Sequence, residues 1–422
     1  MHSSGIKKHR VMIYSFLIYL NFTFLTLLGF IFWIIAANLY PPSNIGISTS
    51  NISLVRLIVI FSTLGLNMTI LRYFPLNINN HKRFFSVIAF TTFICTIVVV
   101  SLINILPFNL NFLEQTYLKN IFLLILISYI WLLFEILDAI LVSLDIPLLI
   151  LFKSGTFSVL KILTLSFLIF SFDSIISSWY FSAFISIILT IICIVGYRIL
   201  FSGRKGEIIN EKSEEHDSSN HLQLIKFSLY NYLVHIISLL PLTLLPILAT
   251  EMYGAEQGAY FFISLTISNF LYAIPRSAVP PLLSDRSKSK LIIKRLLLIL
   301  SGLTVIFTLL NTFILSFFGN FYVSSVTISI LTLLLITSLP FCYNLIKTAE
   351  YNREYLLNEF LSVNAIILVC TLLFISFSNN VVDIAFSWFV GNILGTIFSI
   401  ILDKRSLVFK KLKNIFQFLR GQ

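Results

Sequence analysis

The sequence predicts an all-α integral membrane protein of about 12 transmembrane helices, arranged as two six-helix bundles around a central cavity. Three observations predict it. First, 58% of the 422 residues are hydrophobic and only 11% are charged, with a mean hydropathy of +0.95, outside the range of soluble domains. Second, the apolar residues fall into about twelve runs of roughly 20 residues, the length needed to cross a bilayer. Third, counting span ends with the gaps they adjoin, Lys and Arg keep to every second gap between runs: 26 of the 29 lie there, from Lys7, Lys8 and Arg10 through Lys153 and Lys347 to the six between Lys404 and Arg420. Retained cations mark the cytoplasmic side, so an even number of spans with both termini cytoplasmic is expected.

The expected spans are 11–38, 49–71, 84–106, 119–142, 148–171, 178–200, 225–249, 258–281, 294–317, 323–345, 358–377 and 380–402. All are expected to be helices, because an open strand leaves backbone groups unpaired in lipid. The first run, behind Lys7, Lys8 and Arg10, is too long for a signal peptide and is expected to be retained. Tyr40-Pro-Pro-Ser-Asn-Ile-Gly46 reads as a loop introducing the second span, and Met252-Tyr-Gly-Ala-Glu-Gln-Gly258 as its counterpart before the eighth, where Pro275 is expected to break the helix beside Arg276. Trp33, Trp179 and Trp388 fall near span ends, where interfacial anchors sit, whereas Trp131 falls deep in the fourth span. The longest polar stretch lies between spans six and seven. It divides the chain into bundles 1–201 and 224–422 around a cytoplasmic linker, 202–223, a layout used by transporters.

Three cations stand outside the alternating pattern: Lys119 at an external span end, and Arg56 and Lys161 inside spans. A charge at membrane depth costs ~3 kcal/mol or more, so each is a functional candidate. On the second span Thr49, Ser53, Arg56, Thr63 and Asn67 share an arc of about 80°, and on the fifth Ser154, Ser158 and Lys161 share about 60°. The seventh span aligns Ser228, Asn231, His235 and Ser238, and the eighth Ser268, Tyr272 and Arg276. The hydroxyls serve equally well as bonds to their own backbone or between helices. Glu135 and Asp138, three apart on the fourth span, share a face with Asp145. They are either counter-ions to Lys161 or carriers of a coupling ion, proton or sodium, with no other cofactor expected. Gly391-x-x-x-Gly395 reads as a helix contact.

Other chemistry is not supported. Cys95, Cys193, Cys342 and Cys370 stand singly in apolar runs, without disulfide or zinc spacing. No metal-ligand cluster, catalytic constellation or P-loop is evident. The net charge of +11 follows the membrane topology, so anionic lipid headgroups, not nucleic acid, are the expected partners.

The Tyr40…Gly46 segment, Leu64-Gly-Leu-Asn-Met-Thr-Ile-Leu-Arg-Tyr-Phe-Pro75, the stretch from Ser228 to Leu248 with Asn231, Pro241 and Pro246, Met252-Tyr-Gly, and Ile274-Pro-Arg-Ser-Ala-Val-Pro-Pro281 together resemble the Wzx-type polysaccharide flippases. These belong to the multidrug/oligosaccharidyl-lipid/polysaccharide (MOP) exporter superfamily. The resemblance implies a non-enzymatic, multi-pass protein of the bacterial cytoplasmic membrane that moves an undecaprenyl-pyrophosphate-linked oligosaccharide, for O-antigen or capsule, by alternating access. It also implies the polysaccharide polymerase and chain-length machinery as partners. On that reading Arg56 and Lys161 bind the diphosphate, Arg276 assists at the cytoplasmic gate, and Asn67, Asn231 and His235 line the path. A multidrug exporter of the same superfamily is the nearest alternative, although it is expected to favour cavity carboxylates. A repeat-unit polymerase is expected to show a large external loop, and an O-acyltransferase a His-based acid/base pair.

Overall fold

The computed structural model describes residues 20–21, 24–67, 70, 81–105, 111–144, 146–167, 174–201, 221–284, 289–354 and 356–420. Among these there is no strand. Twelve helices carry the fold: α1 (Phe24–Leu39), α2 (Pro42–Ser62), α3 (His81–Ile105), α4 (Ile121–Ser143), α5 (Pro147–Phe167), α6 (Ser174–Phe201), α7 (His221–Tyr253), α8 (Ala255–Ser284), α9 (Ser289–Leu309), α10 (Ser325–Arg353), α11 (Leu357–Ile375) and α12 (Val381–Arg420). Single turns at Asn111–Glu114, Tyr117–Lys119, Asn311–Ser316 and Asn320–Tyr322 fill the connections. Among the described residues ten helices are long and apolar enough to cross a membrane, and α1 is a shorter apolar helix.

The chain divides into two compact units, Met1–Ile236 and Ile237–Gln422, the division falling within α7. In the first unit α4 packs against α2, α3, α5 and α6; in the second α10 packs against α8, α9, α11 and α12. The fourth helix of each group of six is thus surrounded by its second, third, fifth and sixth. This repeat is far clearer in packing than in sequence, because lipid asks only that these helices be apolar.

Several boundaries differ from expectation for local reasons. Pro41 and Pro42 do not mark a loop: Pro42 opens α2, where its fixed φ and missing N–H suit the first turn. Helix α2 then stops at Ser62, and Leu64 (φ 45) and Gly65 (φ 70) form a left-handed turn, so Asn67 does not continue the α2 stripe. The segment Met252–Gly258 is likewise no loop. Gly254 alone, at φ 90, separates α7 from α8, a backbone state that L side chains adopt at a cost. Helix α8 continues through Pro275 to Ser284, and α7 through Pro241 and Pro246, since neighbouring helices compensate a lost backbone bond in membranes. The expected ninth span is split by a turn at Leu310.

The tryptophans are not interfacial anchors. Trp33, Trp131 and Trp388 are buried, and Trp179 joins Phe32, Trp33, Trp131 and Phe157 with ring centres 5.5–6.0 Å away. All four cysteines are free thiols. Gly391 and Gly395 are a helix contact: a Cβ on either would overlap Thr371 or Ile367 of α11. Gly395→Leu is therefore expected to lower stability by ~1–3 kcal/mol, read as a lower thermal midpoint in detergent, while Gly302→Ala, where a Cβ meets open space, leaves it unchanged.

Candidate functional site

Two polar groups lie inside the first unit. Helices α4 and α5, ending at Ser143 and starting at Pro147, pack against each other, so positions equidistant from the junction between them meet at one depth. Phe134 and Phe157 do so, with ring centres 5.1 Å apart. So do Asp138 and Lys153: Nζ of Lys153 lies 2.6 Å from Oδ1 of Asp138, donates to the Phe134 carbonyl at 2.6 Å, and sits 3.7 Å over the Phe134 ring. Lys153 is 0% exposed, whereas the Asp138 side chain is 42% exposed. Lys153 is therefore a buried, paired side chain and not simply the span-end topology cation expected from its place in the charge pattern. It is also Lys153, not Lys161, that Asp138 neutralises.

One turn away, Oε1 of Glu135 accepts a hydrogen bond from Nε1 of Trp131 at 3.0 Å. Arg56 is exposed on α2. Asp138 and Lys153 thus form an ion pair between α4 and α5, with Glu135 one turn away on α4.

Lys161 is held differently. It is 2% exposed, and its Nζ lies 4.4 Å from the Trp179 ring centre, 4.9 Å from Phe157 and 5.1 Å from Phe32. No carboxylate forms an ion pair with it among the described residues. Cation–π attraction is worth ~2 kcal/mol per ring when desolvated, comparable with the several kcal/mol that burying an ammonium costs. The aromatic cage replaces the counter-ion. Hydroxyls of the predicted stripes and their neighbours serve the helices themselves: Thr49 and Thr63 donate to backbone carbonyls of α2, and Thr164 and Ser182 bridge α5 to α6 at 3.2 Å. The Oδ1 of Asn67 is buried and accepts no hydrogen bond.

The second unit contains a cavity of about 90 Å³ between α7, α8, α10, α11 and α12. Its polar wall comes from Arg276, Asn344, Asn364 and Asn392, its aromatic wall from Phe341 and Trp388. The Arg276 guanidinium lies 5.4 Å from the Phe341 ring centre. No carboxylate is among the lining residues. A separate cluster closes α10 onto α12: Lys347 Nζ lies 2.9 Å from Glu350 and 2.7 Å from Asp403, which also accepts from the Tyr351 hydroxyl at 3.0 Å. Lys347 is thus a buried structural cation inside α10, not a loop residue.

Of the residues expected from sequence, Arg276 lines this cavity, while Arg56, Glu135 and Asp138 lie in the first unit with Lys161 nearby on α5. Asn231 and His235 fall on α7, and their side chains lie outside the described residues, as do Asp145 and the linker 202–220. Sequence reasoning missed Lys153 and the asparagines of α10, α11 and α12. For Lys153 the signal was present, since it and Asp138 are equally far from the α4–α5 turn. For the asparagines no spacing singles them out.

The sequence matches no protein-family model. It matches no curated relative either. Solved structures do resemble it. The chain is similar to an inward-facing multidrug resistance MATE family transporter of the MOP superfamily, at 15% identity and a TM-score of 0.64, over 92% of this chain and 95% of that one. It is similar to a MOP superfamily transporter from Pyrococcus furiosus whose reversed binding-pocket polarity suggests a different function, at 14% identity and a TM-score of 0.59, over 94% and 95%. A mutant MATE transporter from Vibrio cholerae matches at 13% identity and a TM-score of 0.58, over 96% and 98%. The chain has the all-helical, two-bundle fold of these transporters.

Proposed function

We propose that the chain is a transporter that moves an anionic, lipid-linked oligosaccharide across the bacterial cytoplasmic membrane, with both termini cytoplasmic. The observation that carries this reading is the second-unit cavity, which presents Arg276 and three amides and no carboxylate. Such a lining attracts an anion that forms hydrogen bonds, and it leaves a cationic drug without a partner. Arg56, the exposed cation at membrane depth, is the group available to a diphosphate. Lys161 adds positive potential from behind its aromatic wall, where the low dielectric lengthens its reach. The membrane polymerase that consumes the flipped unit is the partner this activity requires.

Multidrug export is the second reading, favoured by the fold shared with a multidrug resistance transporter. The P. furiosus protein, with its reversed pocket polarity, supports the idea that pocket charge changes the cargo on this fold. Reconstitution separates the two. Vesicles carrying the protein should expose a fluorescent undecaprenyl-pyrophosphate oligosaccharide to an external quencher at least about tenfold faster than empty vesicles, a barrier difference of ~1.4 kcal/mol, without exporting ethidium. Ethidium export without lipid movement selects the drug exporter.

Glu135 is the proposed coupling carboxylate, because Asp138 is committed to Lys153 while Glu135 holds only a neutral indole donor at hydrogen-bond distance. Glu135→Gln keeps that acceptor and removes the exchangeable proton. It should abolish the dependence of lipid movement on an imposed pH gradient. A gradient response equal to the parent's would make the carboxylate structural.

A further inference from the structure

We infer that the break in α2 is a two-state hinge of the transport cycle, bent as in this structure and straight when the Tyr232 hydroxyl leaves the Phe61 carbonyl; the inference rests on the transport reading above. Helix α2 ends at Ser62, the chain turns through Leu64 at φ 45 and Gly65 at φ 70, and Leu66 and Asn67 are helical again. Leu64 is the one non-glycine residue with positive φ among those described. An L side chain is disfavoured there, and residues 56–67 contain no proline that would force a kink. The bend is therefore held from outside the segment.

Hydroxyls hold it, on the carbonyls that a continuous helix would use. In such a helix the N–H groups of Leu64 and Gly65 bond to the carbonyls of Ile60 and Phe61, four residues back. In the bent form Oγ1 of Thr63 donates to the Ile60 carbonyl at 3.0 Å, and the Tyr232 hydroxyl of α7 donates to the Phe61 carbonyl at 2.6 Å. The Thr63 bond is local and is made inside ordinary helices as well. The Tyr232 bond comes from another helix, and it is the one that has to break.

The residue pattern of α2 describes the other state. Thr49, Ser53, Arg56, Thr63 and Asn67 share one face only if the helix runs unbroken to Asn67, which then stands about 20° from Arg56 around the axis and about three turns further on. In the bent form Asn67 leaves that face, and its buried Oδ1 accepts no hydrogen bond, a cost the bent form carries. Straightening exchanges a bond to α7 for a helical bond, relieves Leu64, and returns the amide to the face of Arg56, the cation offered to the diphosphate. An anionic cargo that touches both groups favours the straight form, and that differential contact is what lets binding drive the change.

Three substitutions move the hinge in opposite directions. Tyr232→Phe removes the clamp and Gly65→Ala penalises φ 70, so both favour the straight form; Leu64→Gly relieves φ 45 and favours the bent form. Hydrogen–deuterium exchange of the purified full-length chain in detergent reads the state at the amides of residues 64 and 65, which a continuous helix protects. Exchange there should slow about fivefold or more in Tyr232→Phe and in Gly65→Ala, and adding Leu64→Gly to Tyr232→Phe should restore the parent's rate. In vesicles, lipid movement should fall in Tyr232→Phe and in Leu64→Gly, each of which disfavours one half of the cycle, and recover in the double variant. Exchange unchanged by both Tyr232→Phe and Gly65→Ala overturns the hinge, as does a slowing that Leu64→Gly does not reverse. Shifted exchange with the parent's lipid movement in all variants overturns its part in the cycle. Shifted exchange in a parent chain that moves no lipid would retain the two-state helix and refute the transport reading.

Discussion

Lys161→Met is expected to lower lipid movement at least about tenfold, ~1.4 kcal/mol, while leaving the protein as stable as the parent or more so. The two effects separate because stability and function use different properties of the side chain. Met nearly matches the Lys stem in volume and packs favourably against aromatic rings, so the space between Phe32, Phe157 and Trp179 stays filled. Replacing a buried charge by an apolar group of similar size is usually neutral or stabilising, and here it removes the desolvation cost together with the cation–π gain. What is lost is the positive potential inside the first unit. Lys161→Ala is a poorer test, since a cavity costs ~2–5 kcal/mol at a buried site. Thermal unfolding in detergent and quencher accessibility in vesicles read the two quantities independently. Unchanged transport with raised stability would make Lys161 a structural relic of the aromatic cluster.

Asp138→Asn is expected to destabilise the first unit by ~3 kcal/mol, because it strands Lys153, which has no exposure, without a counter-charge. Asn can still accept one hydrogen bond, and the Phe134 carbonyl remains at 2.6 Å, so the loss stays below that of a fully unpartnered ion. The double variant Asp138→Asn, Lys153→Met should recover most of it, since the charge and its partner leave together. Additive losses in the double variant would show that the pair is not coupled. If Asp138→Asn instead leaves stability intact and removes gradient dependence, Asp138 and not Glu135 is the ion carrier.

These cases show how far the sequence could be read. Lys153 and Lys161 look alike on paper: two lysines on one apolar segment, eight residues apart. The charge pattern placed the first among topology signals and left the second unexplained. In the structure both are buried, one against a carboxylate and one among aromatic rings. The aromatic cage has no signature along the chain, because Phe32, Phe157 and Trp179 come from three helices. Asn344, Asn364 and Asn392 have none for a similar reason, each being one polar residue in its own apolar run.

The helical class, the approximate number of spans and most of their centres are legible in the amino-acid order alone. Those follow from bilayer thickness and from the need of each backbone group for a partner within its own segment, and both requirements are met residue by residue along the chain. Which cation meets which carboxylate, which tryptophans are interior and which amides share a cavity with Arg276 emerge only from the packing of the helices. Those depend on the rotation of each helix about its axis and on hairpin register. An apolar run in lipid leaves both nearly free, and only packing against neighbouring helices sets them.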